Sequence, residues 1–159
     1  MTDAFRSALH QVVRALSQGS SIQWALTGST SMFLQGMALV VHDIDVQTTA
    51  EGAYEVERRL QQIGKSVTRV YYRQSAVIRS HYGKLLVREE IVEIMGAIEH
   101  LGPSNEWEPP VELSSIVQWI NWESEKLPVL SLEHELRAYK QMGRWEKAKK
   151  IEAFLRRAK

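Results

Sequence analysis

The stretch TGSTSMFLQGMALVVHDIDVQ, residues 27–47, places a Gly-Ser pair ahead of two aspartates that a single isoleucine separates. Valines precede and follow the aspartates, so residues 38–46 are predicted to form a β-strand. Side chains alternate between the two faces of a strand, which puts Asp43 and Asp45 on one face, with Cα atoms about 6.5–7 Å apart. Two such carboxylates repel each other and lose hydration, and a divalent cation between them reverses the sign of that interaction.

A third carboxylate, Glu93, lies in the later apolar stretch IVEIMG, which is also predicted to be a strand. If the two strands are neighbours, Glu93 joins the aspartates. Three carboxylates around one point can hold two Mg²⁺ ions, which clamp the attacking and leaving oxygens of a phosphoryl transfer. The alternative for each acid is a structural ion pair with an arginine or a lysine.

The turn Thr27-Gly28-Ser29 separates a short β-prone segment from a short predicted helix. Glycine lets the backbone approach a ligand closely, and the free N–H groups at a helix start attract phosphate. The Ser29 hydroxyl can add a hydrogen bond. The spacing matches neither GxGxxG nor GxxxxGK[ST], which excludes the Rossmann and P-loop classes. By itself, such a turn is also common as a purely structural connection.

Length and composition are those of one globular domain: 159 residues, of which 44% are hydrophobic and 25% charged. The absence of cysteine excludes disulfides, thiolate metal sites and a cysteine nucleophile. The formal net charge of +1 predicts no strong field toward nucleic acid or acidic membranes. No apolar run approaches the roughly 18 residues of a membrane span, and no signal peptide is recognisable. We therefore expect a cytoplasmic protein without a membrane partner.

Helical and strand patterns alternate along the rest of the chain. Four longer segments have apolar residues at helical spacing or helix-capping signals: residues 3–18, 51–63, 131–142 and 144–157. Strand patterns lie between them: residues 22–26, 66–72, 77–87, 91–96 and part of 116–130. This order predicts an α+β fold, with a core over residues 1–130 and a helical appendage over residues 131–159 that packs on it.

Taken together, these residues resemble the nucleotidyltransferases related to DNA polymerase beta. The pattern of that superfamily is an apolar residue, Gly-Gly or Gly-Ser, a spacer, Asp-apolar-Asp-apolar, and a third acid on a later strand. Here it reads LTGS at 26–29, a spacer of thirteen residues, DIDV at 43–46 and VEI at 92–94. The residue before Gly28 is polar, which is a small departure. Within the superfamily, the chain is most similar to small bacterial nucleotidyltransferase-like proteins carrying TGS, HDID and VEIMG.

The resemblance implies a mixed central sheet flanked by helices, with a short C-terminal helix pair. It also implies that Gly28 and Ser29 hold the β- and γ-phosphates of a nucleoside triphosphate such as ATP. Asp43, Asp45 and Glu93 would be both the catalytic residues and the ligands of two Mg²⁺ ions. An acceptor hydroxyl would attack the α-phosphorus in line, and pyrophosphate would leave.

Toxin-type relatives place a lysine in the C-terminal helix pair, so Lys140 is expected to face the triphosphate. A solvated basic helix face is the alternative for the lysines that follow it. The acceptor stays open between a small molecule, a protein and an RNA. Two other functions stay open as well: a catalytically silent nucleotide- or partner-binding module, and a toxin-type enzyme acting on tRNA. Only about sixty residues follow Glu93, so completion of the site by a homodimer or by a partner is also open.

Overall fold

The computed structural model describes residues 1–19 and 21–158. Within these residues the helices are α1 (Asp3–Ser17), α2 (Gly28–Leu34), α3 (Ala50–Leu60), α4 (Leu132–Gln141) and α5 (Trp145–Arg157). The strands are β1 (Trp24–Thr27), β2 (Ile44–Thr48), β3 (Lys65–Gln74), β4 (Ile78–Val87), β5 (Glu90–His100), β6 (Val117–Trp122) and β7 (Glu125–Leu130). None of the helices in this part of the chain is long and apolar enough to cross a membrane.

The strands form one mixed sheet in the order β3-β4-β5-β2-β1-β7-β6. The pairs β2–β5 and β1–β7 are parallel, and the remaining neighbours are antiparallel. Long β4 and β5 form a hairpin whose turn lies at Arg88 and Glu89, both with positive φ. The predicted α+β class with a mixed central sheet is therefore confirmed.

The main core lies between the sheet and the amphipathic helices α1 and α3. Alternation along β2 and β5 buries every second side chain there, because one face of each strand meets the helices. Fully buried members of this core are Leu9 and Val12 of α1, Val56 and Leu60 of α3, Ile44 and Val46 of β2, and Val92 and Ile94 of β5. The intervening residues of β2 and β5, which include Asp45 and Glu93, consequently lie on the opposite face of the sheet.

The C-terminal helices pack on α2 through a second apolar cluster. Its buried members are Met32, Met37, Leu132, Tyr139, Ala148 and Ile151. Ser131 caps α4 by accepting a hydrogen bond from the His134 N–H at 3.2 Å. The predicted boundary at residue 130 falls between β7 and α4, and the division into core and appendage stays a prediction.

The strand prediction for residues 38–46 is wrong over most of its length, because the regular strand begins only at Ile44. The backbone just before it bonds to α2 instead of to a neighbouring strand. The Thr30 hydroxyl donates to the Asp43 carbonyl at 2.6 Å, and the His42 N–H donates to Ser29 Oγ at 3.3 Å. Valine-rich composition indicated a strand, but these tertiary hydrogen bonds fix the segment as a connection.

Candidate active site

Three carboxylates meet on the sheet face that α1 and α3 leave uncovered. Strands β2 and β5 are parallel neighbours in a register that pairs Asp45 with Glu93. Asp43 lies one residue before β2. One carboxylate oxygen from each of the three residues lies within 4.8 Å of the others, and all three residues are partly exposed. The structure therefore brings together the three acids that the sequence singled out.

No arginine or lysine among the described residues forms a salt bridge with this triad. The carboxylates of Asp43 and Asp45 accept no hydrogen bond from the described chain, and Glu93 accepts one from the Tyr82 hydroxyl at 2.9 Å. The alternative of structural ion pairs thus finds no partner in this part of the molecule. Unpaired carboxylates that are close together favour a cation that comes from outside the chain.

The electrostatics of Asp45 reflect this arrangement. Burial, followed by the negative charges of Glu93, Asp43 and Glu135, raises the pKa of Asp45 from 3.8 to about 7, and Lys147 opposes the shift. Burial and the three negative charges each disfavour the ionised carboxylate. A divalent cation would remove most of the penalty, because oxygen anions are the ligands that Mg²⁺ prefers.

The Gly-Ser turn lies directly against the triad. Gly28 begins α2 with a φ of +70°, a conformation that side chains other than glycine rarely adopt. A Cβ atom at this position would collide with Oδ2 of Asp45. The positive φ therefore favours glycine at this position, and a Cβ atom would also displace the Asp45 carboxylate. Ser29 follows at the start of the helix, and its hydroxyl oxygen accepts the hydrogen bond from His42.

A fourth carboxylate, Glu135 of α4, is buried against the turn. Its Oε1 accepts hydrogen bonds from the Thr27 hydroxyl at 2.6 Å and from the Gly28 N–H at 3.0 Å. Burial raises the pKa of Glu135 to about 7, against the lowering effects of those two hydrogen bonds and of Lys147. Glu135 lies in the first turn of α4, where the helix dipole favours an acid. No local sequence pattern predicts its contact with Gly28, which is 107 residues away in the chain.

In the C-terminal helices, Lys140 lies in an ion pair with Glu152 of α5 at 3.2 Å. Lys147 lies close enough to Asp45 and Glu135 for their charges to act on it. Burial and the charge of Arg144 lower its pKa, whereas Asp45 and Glu135 act to raise it. Lys147 also shares a cavity of about 410 Å³ with Ser29 and His42. The role assigned to Lys140 stays a prediction. Lys147, for which the sequence suggested a solvated helix face, is a second candidate for that role.

A mixed sheet with a Gly-Ser turn and three carboxylates that converge at its central strands defines a nucleotidyltransferase of the DNA polymerase beta type. Residues 8–153 match the family described as aminoglycoside-2''-adenylyltransferase, and the chain belongs to this family. A search of the curated proteins found no match.

Solved structures agree with this assignment. A Thermotoga maritima protein assigned as a nucleotidyltransferase is 37% identical, with a TM-score of 0.82, over 96% of this chain and 93% of its own. The lincosamide antibiotic adenylyltransferase LnuA, solved with lincomycin, has a TM-score of 0.58 at 16% identity, over 96% and 97% of the two chains. ANT(2'')-Ia, solved with adenylyl-2''-tobramycin, has a TM-score of 0.61 at 12% identity, over 94% and 88%. The last two similarities show the fold alone.

Proposed function

We propose that this chain is a Mg²⁺-dependent nucleotidyltransferase that moves the AMP moiety of ATP to an acceptor hydroxyl and releases pyrophosphate. The observation that carries the proposal is the convergence of Asp43, Asp45 and Glu93 without a cation from the described chain. Family membership supports the reaction class.

The donor set fits magnesium. All three groups offer carboxylate oxygens, and burial together with the neighbouring carboxylates raises the pKa of Asp45 to about 7, a penalty that a bound cation would relieve. Asp43, Asp45 and Glu93 would hold two ions. When bound, the ions supply charge neutralisation for the phosphates and for the developing alkoxide.

The chain's own residues supply positioning and charge around that centre. Gly28 and Ser29 hold the β- and γ-phosphates against the start of α2, where the glycine lets them come close to Asp45. Lys147, which is half-buried and is influenced by Asp45, is suited to neutralising the triphosphate. Lys140 can take that role if its ion pair with Glu152 opens. Such fixed charges provide most of the catalysis in phosphoryl transfer.

The acceptor is proposed to be a hydroxylated small molecule. One protein with this fold is named a lincosamide antibiotic adenylyltransferase, and another was solved in complex with adenylyl-2''-tobramycin. On the β4 side of the triad, Tyr82 contacts Glu93, and the Arg73 guanidinium lies 3.5 Å from the centre of the Tyr82 ring. The proposal has the acceptor hydroxyl reach Glu93 from this side. We expect the reaction to take place in the cytoplasm, and a homodimer remains part of the proposal.

The test compares the wild type with the double variant Asp43→Asn plus Asp45→Asn. Binding of ATP, GTP, CTP and UTP is measured by calorimetry with and without Mg²⁺, and pyrophosphate release is measured over a panel of hydroxylated acceptors that includes aminoglycosides and lincosamides. The matched control, Asp3→Asn plus Glu51→Gln, removes two exposed carboxylates of α1 and α3. We expect activity in the wild type and the control and a loss of at least 10²-fold in the double variant. Equal binding and turnover in all three proteins would reject the proposal.

A further inference from the structure

A cavity of about 170 Å³ runs from the acidic centre along the sheet, beneath helix α4. At one end it is lined by Gly28, Asp45 and Glu135, and it is also lined by the imidazoles of His100 and His134. This volume is below the range of about 300–1,000 Å³ that is typical for complete drug-sized ligands. The cavity therefore suits one part of a larger ligand whose remainder lies outside it.

The two histidines are unusual because neither imidazole has a hydrogen-bond partner among residues 1–19 and 21–158. The Nδ1 atom of each ring is buried and unpaired. His134 is only 8% exposed. Buried polar groups in folded proteins almost always have a partner, and the exceptions often mark a ligand or a bound water. These two rings consequently point to something that enters the cavity.

Both imidazoles are neutral at pH 7. Burial, with help from the positive charge of Arg137 and from His100, lowers the pKa of His134 to about 4. Burial also lowers the pKa of His100, against the opposing charge of Glu108. A neutral imidazole offers one donor and one acceptor. Two such rings can therefore form hydrogen bonds with a ligand edge that has both donors and acceptors.

The rest of the lining restricts the ligand further. Its apolar side chains are Ile78, Met95, Ile98, Leu130 and Met142. The charged residues of the lining are the carboxylates of Asp45 and Glu135 and the guanidinium of Arg144, so the cavity has no excess of positive charge that would select an anion. A neutral heterocycle with apolar faces and polar edges meets these conditions.

The position of the cavity separates the nucleotide from the acceptor. In-line displacement puts the acceptor oxygen and the leaving pyrophosphate on opposite sides of the α-phosphorus. The cavity borders Gly28, beside which the leaving phosphates lie, and Glu93 is not one of its walls. The acceptor hydroxyl, which belongs at Glu93, therefore approaches from another direction.

We propose that this cavity receives the nucleobase of the triphosphate, a purine, and that His100 and His134 form hydrogen bonds with its edge. This inference rests on the proposed nucleotidyltransferase function. It assigns base selection to two residues that are remote from the catalytic motifs.

The test measures Mg²⁺-dependent binding of ATP, GTP, CTP, UTP and inorganic tripolyphosphate to the wild type, His100→Phe and His134→Phe. Phenylalanine keeps a planar aromatic ring, which is somewhat larger, and removes the polar atoms. The matched control is His81→Phe, because His81 is bonded to the Tyr54 hydroxyl on α3 and is not a wall of the cavity. Thermal unfolding of each variant tests whether the fold is retained.

We expect each cavity variant to lose about threefold to tenfold in purine nucleotide affinity, the effect of one hydrogen bond between neutral groups. Tripolyphosphate affinity should stay within twofold, and His81→Phe should match the wild type throughout. Unchanged purine affinity in both cavity variants, or an equal loss for tripolyphosphate, overturns the inference while the proposed function stands. A wild type that binds neither tripolyphosphate nor any nucleotide overturns both.

Discussion

Replacing Asp45 with asparagine removes a carboxylate whose ionised form destabilises the metal-free fold. The pKa of Asp45 rises from 3.8 to about 7 because the group is buried beside Glu93, Asp43 and Glu135. Each pKa unit corresponds to about 1.4 kcal/mol, so a shift of about three units gives roughly 4 kcal/mol of destabilisation in the ionised state. Relaxation and solvent at the partly exposed site reduce this value, and we expect about 1–3 kcal/mol.

The sign of the pH dependence follows from the raised pKa. Between about pH 4 and pH 7 the folded protein retains the Asp45 proton that the unfolded chain releases, so stability falls as the pH rises through that window. Asp45→Asn lacks this slope. At pH 8 without metal, the variant should therefore be more stable than the wild type. The slope that comes from Glu135, whose pKa is also about 7, should persist in both proteins.

Urea unfolding between pH 4 and pH 8.5, with EDTA and then with saturating Mg²⁺, measures both effects. Magnesium should stabilise the wild type by about 2.7 kcal/mol at a hundredfold excess over its dissociation constant, and it should stabilise the variant much less. Asp3→Asn is the control, because the Asp3 side chain is fully exposed. Parallel pH profiles for wild type and variant, or a variant that is less stable than the wild type at pH 8 in EDTA, would refute the electrostatic reasoning.

Four further substitutions probe the surroundings of the triad. Tyr82→Phe removes the hydrogen bond to Glu93 and should weaken Mg²⁺ affinity about tenfold, measured by calorimetry; an unchanged affinity would mean that the phenol does not orient the carboxylate. Lys147→Met should weaken tripolyphosphate binding more than Lys140→Met, and the reverse order would support the assignment from the sequence. Gly28→Ala should abolish turnover and lower the melting temperature, because its Cβ would meet Asp45; an active, stable variant would contradict that geometry.

Much of the fold could be predicted because its signals are local. The helical spacing over residues 3–18 corresponds to α1, which is capped by Thr2. The two long apolar runs before and after Arg88 form the β4–β5 hairpin. Residues 38–46 were mistaken for a strand, because hydrogen bonds to α2 override their β-propensity.

By itself, the sequence determined the chemistry that is available at the site. The residues Gly28-Ser29, Asp43, Asp45 and Glu93 are recognised in the sequence by their motifs and by the two-residue period of a strand. Both signals are properties of neighbouring residues. That period places the acids on the face of the sheet opposite to the apolar side chains between them. The three acids can therefore be identified from the sequence without knowledge of how the strands pair.

Only the tertiary structure decided what surrounds those acids. The β2–β5 register brings Glu93 to Asp45, the packing of α4 brings Glu135 to Gly28, and the C-terminal helices place Lys147 where the charges of Asp45 and Glu135 act on it. Each of these relations joins residues that are tens of residues apart. They arise from the burial of two separate apolar clusters, and no local pattern encodes where two such surfaces meet.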